Sequence, residues 1–284
     1  MEITCRQFEI SQLKEIERSN FNLFTKGSSD LIEVNLDDFS KTHHKLSIPE
    51  ICLDERICIC PLPDGKYFCY GNIAKIGQAS GITFIVNQKN EILNLPAWTS
   101  ILGCFPIYLE NCVYVFGGEY VERFNLIKWK WEKIIKFPPK CRLCTCALIG
   151  KKILFSGYSF NGIFLLDLLT LSFSWHSLET LSNKAKLLCN VKNTIYLVDF
   201  SGKIFQSEIG NPFIWSFEGN FQPLRNSTPE NKIFYKNCIY FTIGNQIFKF
   251  DLTKKNVQTI NFLLDQAQAQ ISQNPNDDYF SSRF

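Results

Sequence analysis

The sequence predicts an all-β fold, a six-bladed β-propeller of four-stranded blades around a central channel, and three observations carry that expectation. Apolar strands ending in a small or turn-forming residue recur about every 40 residues, the period of a propeller blade. A second landmark follows each of them in the same order. The composition suits pleated sheet, with 26 Phe against one Met and 14% aromatic residues, since flat rings pack well on pleated surfaces.

The first landmark appears in Asn22-Leu23-Phe24-Thr25-Lys26-Gly27, Tyr67-Phe68-Cys69-Tyr70-Gly71 and Val113-Tyr114-Val115-Phe116-Gly117-Gly118. It returns in Ile153-Leu154-Phe155-Ser156-Gly157, Ile195-Tyr196-Leu197-Val198-Asp199 and Ile239-Tyr240-Phe241-Thr242-Ile243-Gly244. From Gly27 the marks step by 44, 47, 39, 42 and 45 residues. The second landmark is a short strand ending in Asp or Asn, a turn, and a Trp or its substitute. Phe124-Asn125 leads to Trp131, Leu166-Asp167 to Trp175, Phe205-Gln206 to Trp215 and Phe250-Asp251 to Val257. Val34-Asn35 before His43 and Ile85-Val86 before Ile92 are weaker copies.

Each unit resolves into four strands. In the third they are Cys104 to Leu109, Cys112 to Phe116, Glu122 to Leu126 and Trp131 to Phe137, closed by Pro138-Pro139. Glycine after the second strand is expected to supply a left-handed exit, and proline after the fourth stops the ladder.

Phe116-Gly117-Gly118, Phe124-Asn125 and Trp131 resemble the kelch repeat, whose pattern is an apolar strand, a double glycine, a Tyr-Asp-like pair and a Trp. The other units match it more loosely. The resemblance covers residues 21–264 and implies a disc of radial sheets that holds partners on its loop faces. It implies no single activity, since kelch propellers include scaffolds and enzymes.

Residues 1–20 form a separate N-terminal segment with two open readings. Residues 8–18 suit a short amphipathic helix, and Ile3 to Phe8 suits the missing inner strand of the first blade, which is favoured. Residues 265–284 are polar and amide-rich, which suits a disordered tail; its end, Tyr279 to Phe284, is a second candidate for closing the ring.

Net charge is +3, too small to point to nucleic acid or an acidic membrane. The N-terminus lacks a secretory pattern and no stretch reaches membrane-helix length. The chain is therefore expected in the cytoplasm, monomeric, with its twelve cysteines as thiols.

No cofactor or metal is expected. Cys144 and Cys146 precede Gly157 by 13 and 11 residues, as Cys58 and Cys60 precede Gly71. Both pairs thus fall on innermost strands, where free Cys acts as a small buried hydrophobe. Consecutive His43 and His44 point to opposite sheet faces, and His176 reads as a solvated strand residue. Nothing matches a nucleophile elbow or the ligand set of copper oxidases. Gly71 to Gly77 mimics a phosphate loop only superficially and reads as a flexible interstrand loop. Trp131, Trp175 and Trp215 recur at blade spacing and read as core.

The expected function is a non-catalytic protein-interaction module, kelch-like in role, with a propeller enzyme acting on a carbohydrate or other small molecule as the alternative. Inner strands such as Ile57-Cys58-Ile59-Cys60 and Cys144-Thr145-Cys146-Ala147-Leu148 are largely apolar, whereas an enzyme would converge charge there. In a kelch-type blade the connections 71–81, 117–122, 157–162 and 200–203 share a face with the inter-blade segments. On that face Tyr120, Arg142, Tyr158, Phe160, Phe221 and Arg225 are the candidate contacts, being types that dominate interfaces. The opposite face is expected to carry short turns at Leu109-Glu110-Asn111 and Ile149-Gly150-Lys151.

Overall fold

The computed structural model describes residues 19–24, 30–46, 58–75, 78–96, 106–117, 120–137, 143–157, 162–177, 185–191, 193–199, 201–209, 214–220, 232–243 and 246–260. They form six antiparallel sheets, the blades of a β-propeller. Blade 1 holds β1 (Asn20–Phe24), β2 (Asp30–Asn35) and β3 (Lys41–Lys45). Blade 2 holds β4 (Cys58–Pro61), β5 (Tyr67–Lys75), β6 (Gln78–Val86) and β7 (Ile92–Asn94). Blade 3 has β8 (Ile107–Leu109), β9 (Cys112–Gly117), β10 (Tyr120–Asn125) and β11 (Lys130–Lys136). Blade 4 has β12 (Leu143–Ile149), β13 (Lys152–Gly157), β14 (Gly162–Asp167) and β15 (Ser172–Ser177). Blade 5 has β16 (Ala185–Val191), β17 (Thr194–Asp199), β18 (Lys203–Glu208) and β19 (Ser216–Asn220). Blade 6 has β20 (Lys232–Tyr235), β21 (Cys238–Ile243), β22 (Gln246–Asp251) and β23 (Asn256–Ile260).

In each blade the strands pair in sequence order. Among the described residues the first sheet has three strands, which occupy the second to fourth places of the repeat. The innermost place, which the sequence assigns to Ile3 to Phe8, falls outside the described residues, as do the whole of 1–18 and 261–284.

Six hydrophobic clusters show how the ring is held. Phe68, Tyr70, Val113, Phe124 and half-buried Trp131 join blades 2 and 3. Phe116, Phe137, Cys146, Phe155 and Leu166 join blades 3 and 4. Ala147, Leu154, Ile163, Leu188 and Ile195 join blades 4 and 5, and Leu187, Cys189, Phe241 and Phe250 join blades 5 and 6. Leu31, Ile59, Cys69 and Phe84 join blades 1 and 2. The sixth cluster, with Phe21, Ile32 and Val34 against Ile233, Tyr240 and Ile247, joins blade 6 back to blade 1 and closes the ring. Each strand offers alternate side chains to the two neighbouring blades, because successive residues point to opposite sheet faces.

The Asp or Asn landmark has a structural cause. In blades 1, 3, 4 and 6 the third strand ends in Asn35, Asn125, Asp167 or Asp251, each followed by Leu. Its side-chain oxygen caps the turn to the fourth strand. Asn125 Oδ1 accepts from the Ile127 and Lys128 N–H groups at 3.0 and 2.9 Å. Asp167 accepts from Leu169 and Thr170, Asp251 from Thr253 and Lys254, and Asn35 from Asp37. The leucine N–H reaches the neighbouring first-to-second turn: Leu126 donates to Asn111 at 2.9 Å and Leu168 to Lys151 at 2.9 Å. The fourth turn residue is left-handed, at Phe39, Asn90, Trp129, Leu171 and Lys255.

Two expectations are corrected. Among the described residues left-handed conformations lie chiefly in these turns and in the first-to-second turns rather than after the second strand, where Gly117 and Gly157 are strand residues paired with Tyr120 and Leu143. The segment from Gly71 is also not a loop. The β5–β6 ladder continues from Gly71↔Ile82 to Lys75↔Gln78, since the stretch holds no proline to interrupt the ladder hydrogen bonds.

Candidate interaction surface

Each blade is an antiparallel meander, so its first-to-second and third-to-fourth connections share one face. Its second-to-third connections share the other with the inter-blade segments. On this latter face β5 and β6 run nine residues each, against six in β9, β13, β17 and β21. Blade 2 therefore extends its hairpin beyond the other blades.

Of the six candidate contacts, Tyr120 lies within the described residues. It opens β10 opposite Gly117 and Lys136 and is half-buried. The Lys133 and Lys136 ammonium groups sit 4.8 and 5.9 Å from its ring centroid, so the ring is engaged by its own blade. Arg142, Tyr158, Phe160, Phe221 and Arg225 lie outside the described residues.

In blade 5 Asp199 takes the place of the marker glycine. It is fully buried, and its Oδ1 accepts from the Ser201 N–H at 2.8 Å, the Ser201 hydroxyl at 2.7 Å and the Lys203 N–H at 2.9 Å. With Gly202 left-handed, this carboxylate sets the turn into β18.

The opposite face carries the expected two-residue turns. Glu110-Asn111 and Lys236-Asn237 are left-handed pairs, the geometry that matches strand twist in tight hairpins. Lys151 bridges blades by pairing with Glu110 at 2.9 Å. Asp37 of blade 1 accepts from the Tyr235 hydroxyl at 3.0 and 2.9 Å and from the Lys236 ammonium. The Lys236 and Tyr235 hydrogen bonds hold the Asp37 carboxyl below its usual range, and the Asp37 contact raises Lys236.

At the channel, the sequence did not single out Lys232. From the inner strand of blade 6 its ammonium donates to the Cys146 carbonyl of blade 4 and, at 2.7 Å, to the Leu188 carbonyl of blade 5. Thr145 Oγ1 accepts from the Leu188 N–H at 2.8 Å, and Asn190 Nδ2 donates to the Leu148 carbonyl at 2.9 Å. Polar links thus tie the inner strands of three blades together. A lysine flanked by Asn231 and Ile233 in a strand gives no sequence cue that it points to the centre.

The cysteines lie where the repeat places them. Cys60 and Cys146 are buried on inner strands, in different clusters. Cys69 lies opposite Ile59, on the sheet face away from Cys58 and Cys60. Burial, with a smaller contribution from those two thiols, raises its thiol well above the ordinary range. Cys58, Cys60, Cys69, Cys112, Cys146, Cys189 and Cys238 are not joined in disulfides. Among the described residues no three His, Cys, Asp or Glu side chains gather as a metal set.

His44 links blades 1 and 2, 3.1 Å from Glu33 and 2.9 Å from Asn90. His176 is shifted down by burial. Trp131 meets the expectation of a packing role: its Nε1 donates to the Pro96 carbonyl of blade 2 at 2.9 Å, and its ring lies edge-on to Phe124. Trp175 departs from it. It covers Gly162, where a Cβ would come within 2.2 Å of its ring, and stands 4.7 Å from Phe164. On the outermost strand it still remains 44% exposed.

No protein-family model and no curated protein matches this chain. No helix among the described residues is long and apolar enough to cross a membrane.

Proposed function

We propose that this chain is a non-catalytic protein-interaction module, a kelch-type scaffold that binds a partner on the face carrying the second-to-third connections. The observation that supports it is the extended β5–β6 hairpin, whose nine-residue strands exceed what blade packing uses elsewhere in the ring. Paired backbone holds this projection, so it presents a contact surface with little ordering cost on binding. The rival reading, a propeller enzyme at the channel, rests on Lys232, but its ammonium donates to two main-chain carbonyls and is accounted for as a brace.

The test is recovery of a partner by affinity purification with the intact chain, followed by binding to the Tyr158→Ala, Phe160→Ala, Arg225→Ala triple variant. Binding weaker by about tenfold, or about 1.4 kcal/mol, with unchanged thermal stability is expected. Full affinity in that variant and in one with the hairpin shortened to the length of blade 3 would sink the assignment of this face.

A further inference from the structure

The turns joining third to fourth strands differ between two halves of the ring, and the repeat supplies its own control. At the second turn position blades 1, 2 and 6 carry Asp37, Gln88 and Thr253, followed by Asp38, Lys89 and Lys254. Blades 3 and 4 carry Ile127 and Leu169 there, 72% and 70% exposed. Trp129 and Leu171 stand two residues on and are also exposed. Blade 5 adds Ile214, 72% exposed, on its own third-to-fourth connection.

The polar copies show that the turn needs no apolar side chain at its second place, and Asn90 and Lys255 show the same for its fourth. There blade 1 carries a half-buried Phe39 packed against the cluster between blades 6 and 1. Trp129 and Leu171 also hold left-handed φ values of 55° and 51°. That conformation costs a bulky residue more than an asparagine, and Asn90 holds the place in blade 2. Two unfavourable choices, exposure and backbone conformation, therefore coincide on consecutive blades. Exposed apolar residues gathered in this way mark an interaction site.

We propose that this arc over blades 3 to 5 docks the propeller on the interfacial layer of an anionic lipid bilayer. The apolar side chains stand on turn tips and span three blades, so the occupant is extended and accepts Ile, Trp and Leu without a matched socket for each. A bilayer interface does this, and Trp favours that depth. Lys128 lies exposed between Ile127 and Trp129, and Lys130, which follows, is paired with Glu132 at 3.4 Å. Elsewhere on this face Lys151 and Lys152 are matched by Glu110 at 2.9 Å and Asp167 at 3.8 Å. The Lys128 charge thus sits among the apolar tips, where it attracts anionic headgroups. The attachment is weak and reversible, because shallow apolar insertion needs a second signal for stable anchoring. The arc lies on the face opposite the β5–β6 hairpin, so a docked propeller keeps its proposed partner face toward solvent, although neither proposal depends on the other.

The test is co-sedimentation of the full chain with phosphatidylcholine vesicles with and without phosphatidylserine, with tryptophan emission read in parallel. Binding to the anionic vesicles, with a blue shift lost in Trp129→Phe, is expected. The Ile127→Gln, Leu169→Thr, Ile214→Thr variant borrows residues from blades 2 and 6 and changes only exposed positions. It is expected to lose binding by about tenfold or more at unchanged melting temperature, and Lys128→Glu to lose it in the same direction. Absence of vesicle binding, or full binding by the triple variant, overturns the proposal. So does loss of an identified protein partner by the triple variant when vesicles do not bind, which would make the arc a protein contact. That result would leave the interaction-module reading standing.

Discussion

Ring closure makes a quantitative demand on two isoleucines of equal size. Ile247 is 1% exposed in the interface between blades 6 and 1, and Ile195 is fully buried between blades 4 and 5. Ile→Ala removes three carbon groups, about 0.8 kcal/mol each by transfer, and leaves a cavity that raises the cost to about 3 kcal/mol. A cooperative ring loses that amount from either site, a large part of a stability of about 5–15 kcal/mol. The five tryptophans, at 98, 129, 131, 175 and 215, all fall between blade 2 and blade 5. Tryptophan fluorescence during urea unfolding therefore does not report on blades 1 and 6 directly. The expected result is that Ile247→Ala lowers the fluorescence midpoint as far as Ile195→Ala does, with circular dichroism coincident. An unshifted fluorescence midpoint in Ile247→Ala, alongside an earlier loss of β-structure, would falsify the closed cooperative ring and favour an open array.

Two further predictions concern single polar groups. Backbone N–H donors at Leu169 and Thr170 hold the Asp167 carboxyl below its ordinary value, and Thr253 and Lys254 do the same for Asp251. The folded values are depressed, so the stability they confer is present above the unfolded value and lost as pH falls below about 4. Asn125 caps the same turn uncharged, so Asp167→Asn with Asp251→Asn should keep neutral-pH stability and flatten the acid limb of melting temperature against pH; an unchanged acid limb would place the acid sensitivity elsewhere. Lys232→Met should cost about 1–3 kcal/mol, the range for a charge-assisted hydrogen bond and its unsatisfied partners, measured by urea unfolding; a variant as stable as the parent would remove the channel brace from the account.

The blade count and strand order were legible because a repeat multiplies weak evidence. The strands expected in blade 3 lie within a few residues of β8 to β11, apart from a later start for β8. The Asp/Asn landmark was visible too, but its capping role and the leucine after it needed the turn geometry. What could not be read had no periodic signature. Lys232 acts through the centre of the ring, a position that no local pattern encodes. The exposure of Trp175 depends on what neighbours its sheet face, whereas Trp131 meets Pro96 from the adjoining blade. The exposure of Ile127 and Leu169 has no signature in the residues themselves, and only the polar Asp37, Gln88 and Thr253 at the equivalent turn place set them apart.

The contact between Asp37 and Tyr235 joins residues 198 positions apart, and this has a consequence during synthesis. A ribosome adding about 5–20 residues per second takes about 10–40 seconds to travel that distance. For all of that time Phe21, Ile32 and Val34 have no sixth blade to cover them. The other five interfaces join blades that are consecutive in the chain, so they can form in order behind the ribosome, but the last must wait for the whole ring. The nascent chain therefore presents one long-lived apolar sheet face near its beginning, a natural seat for a chaperone until blade 6 arrives.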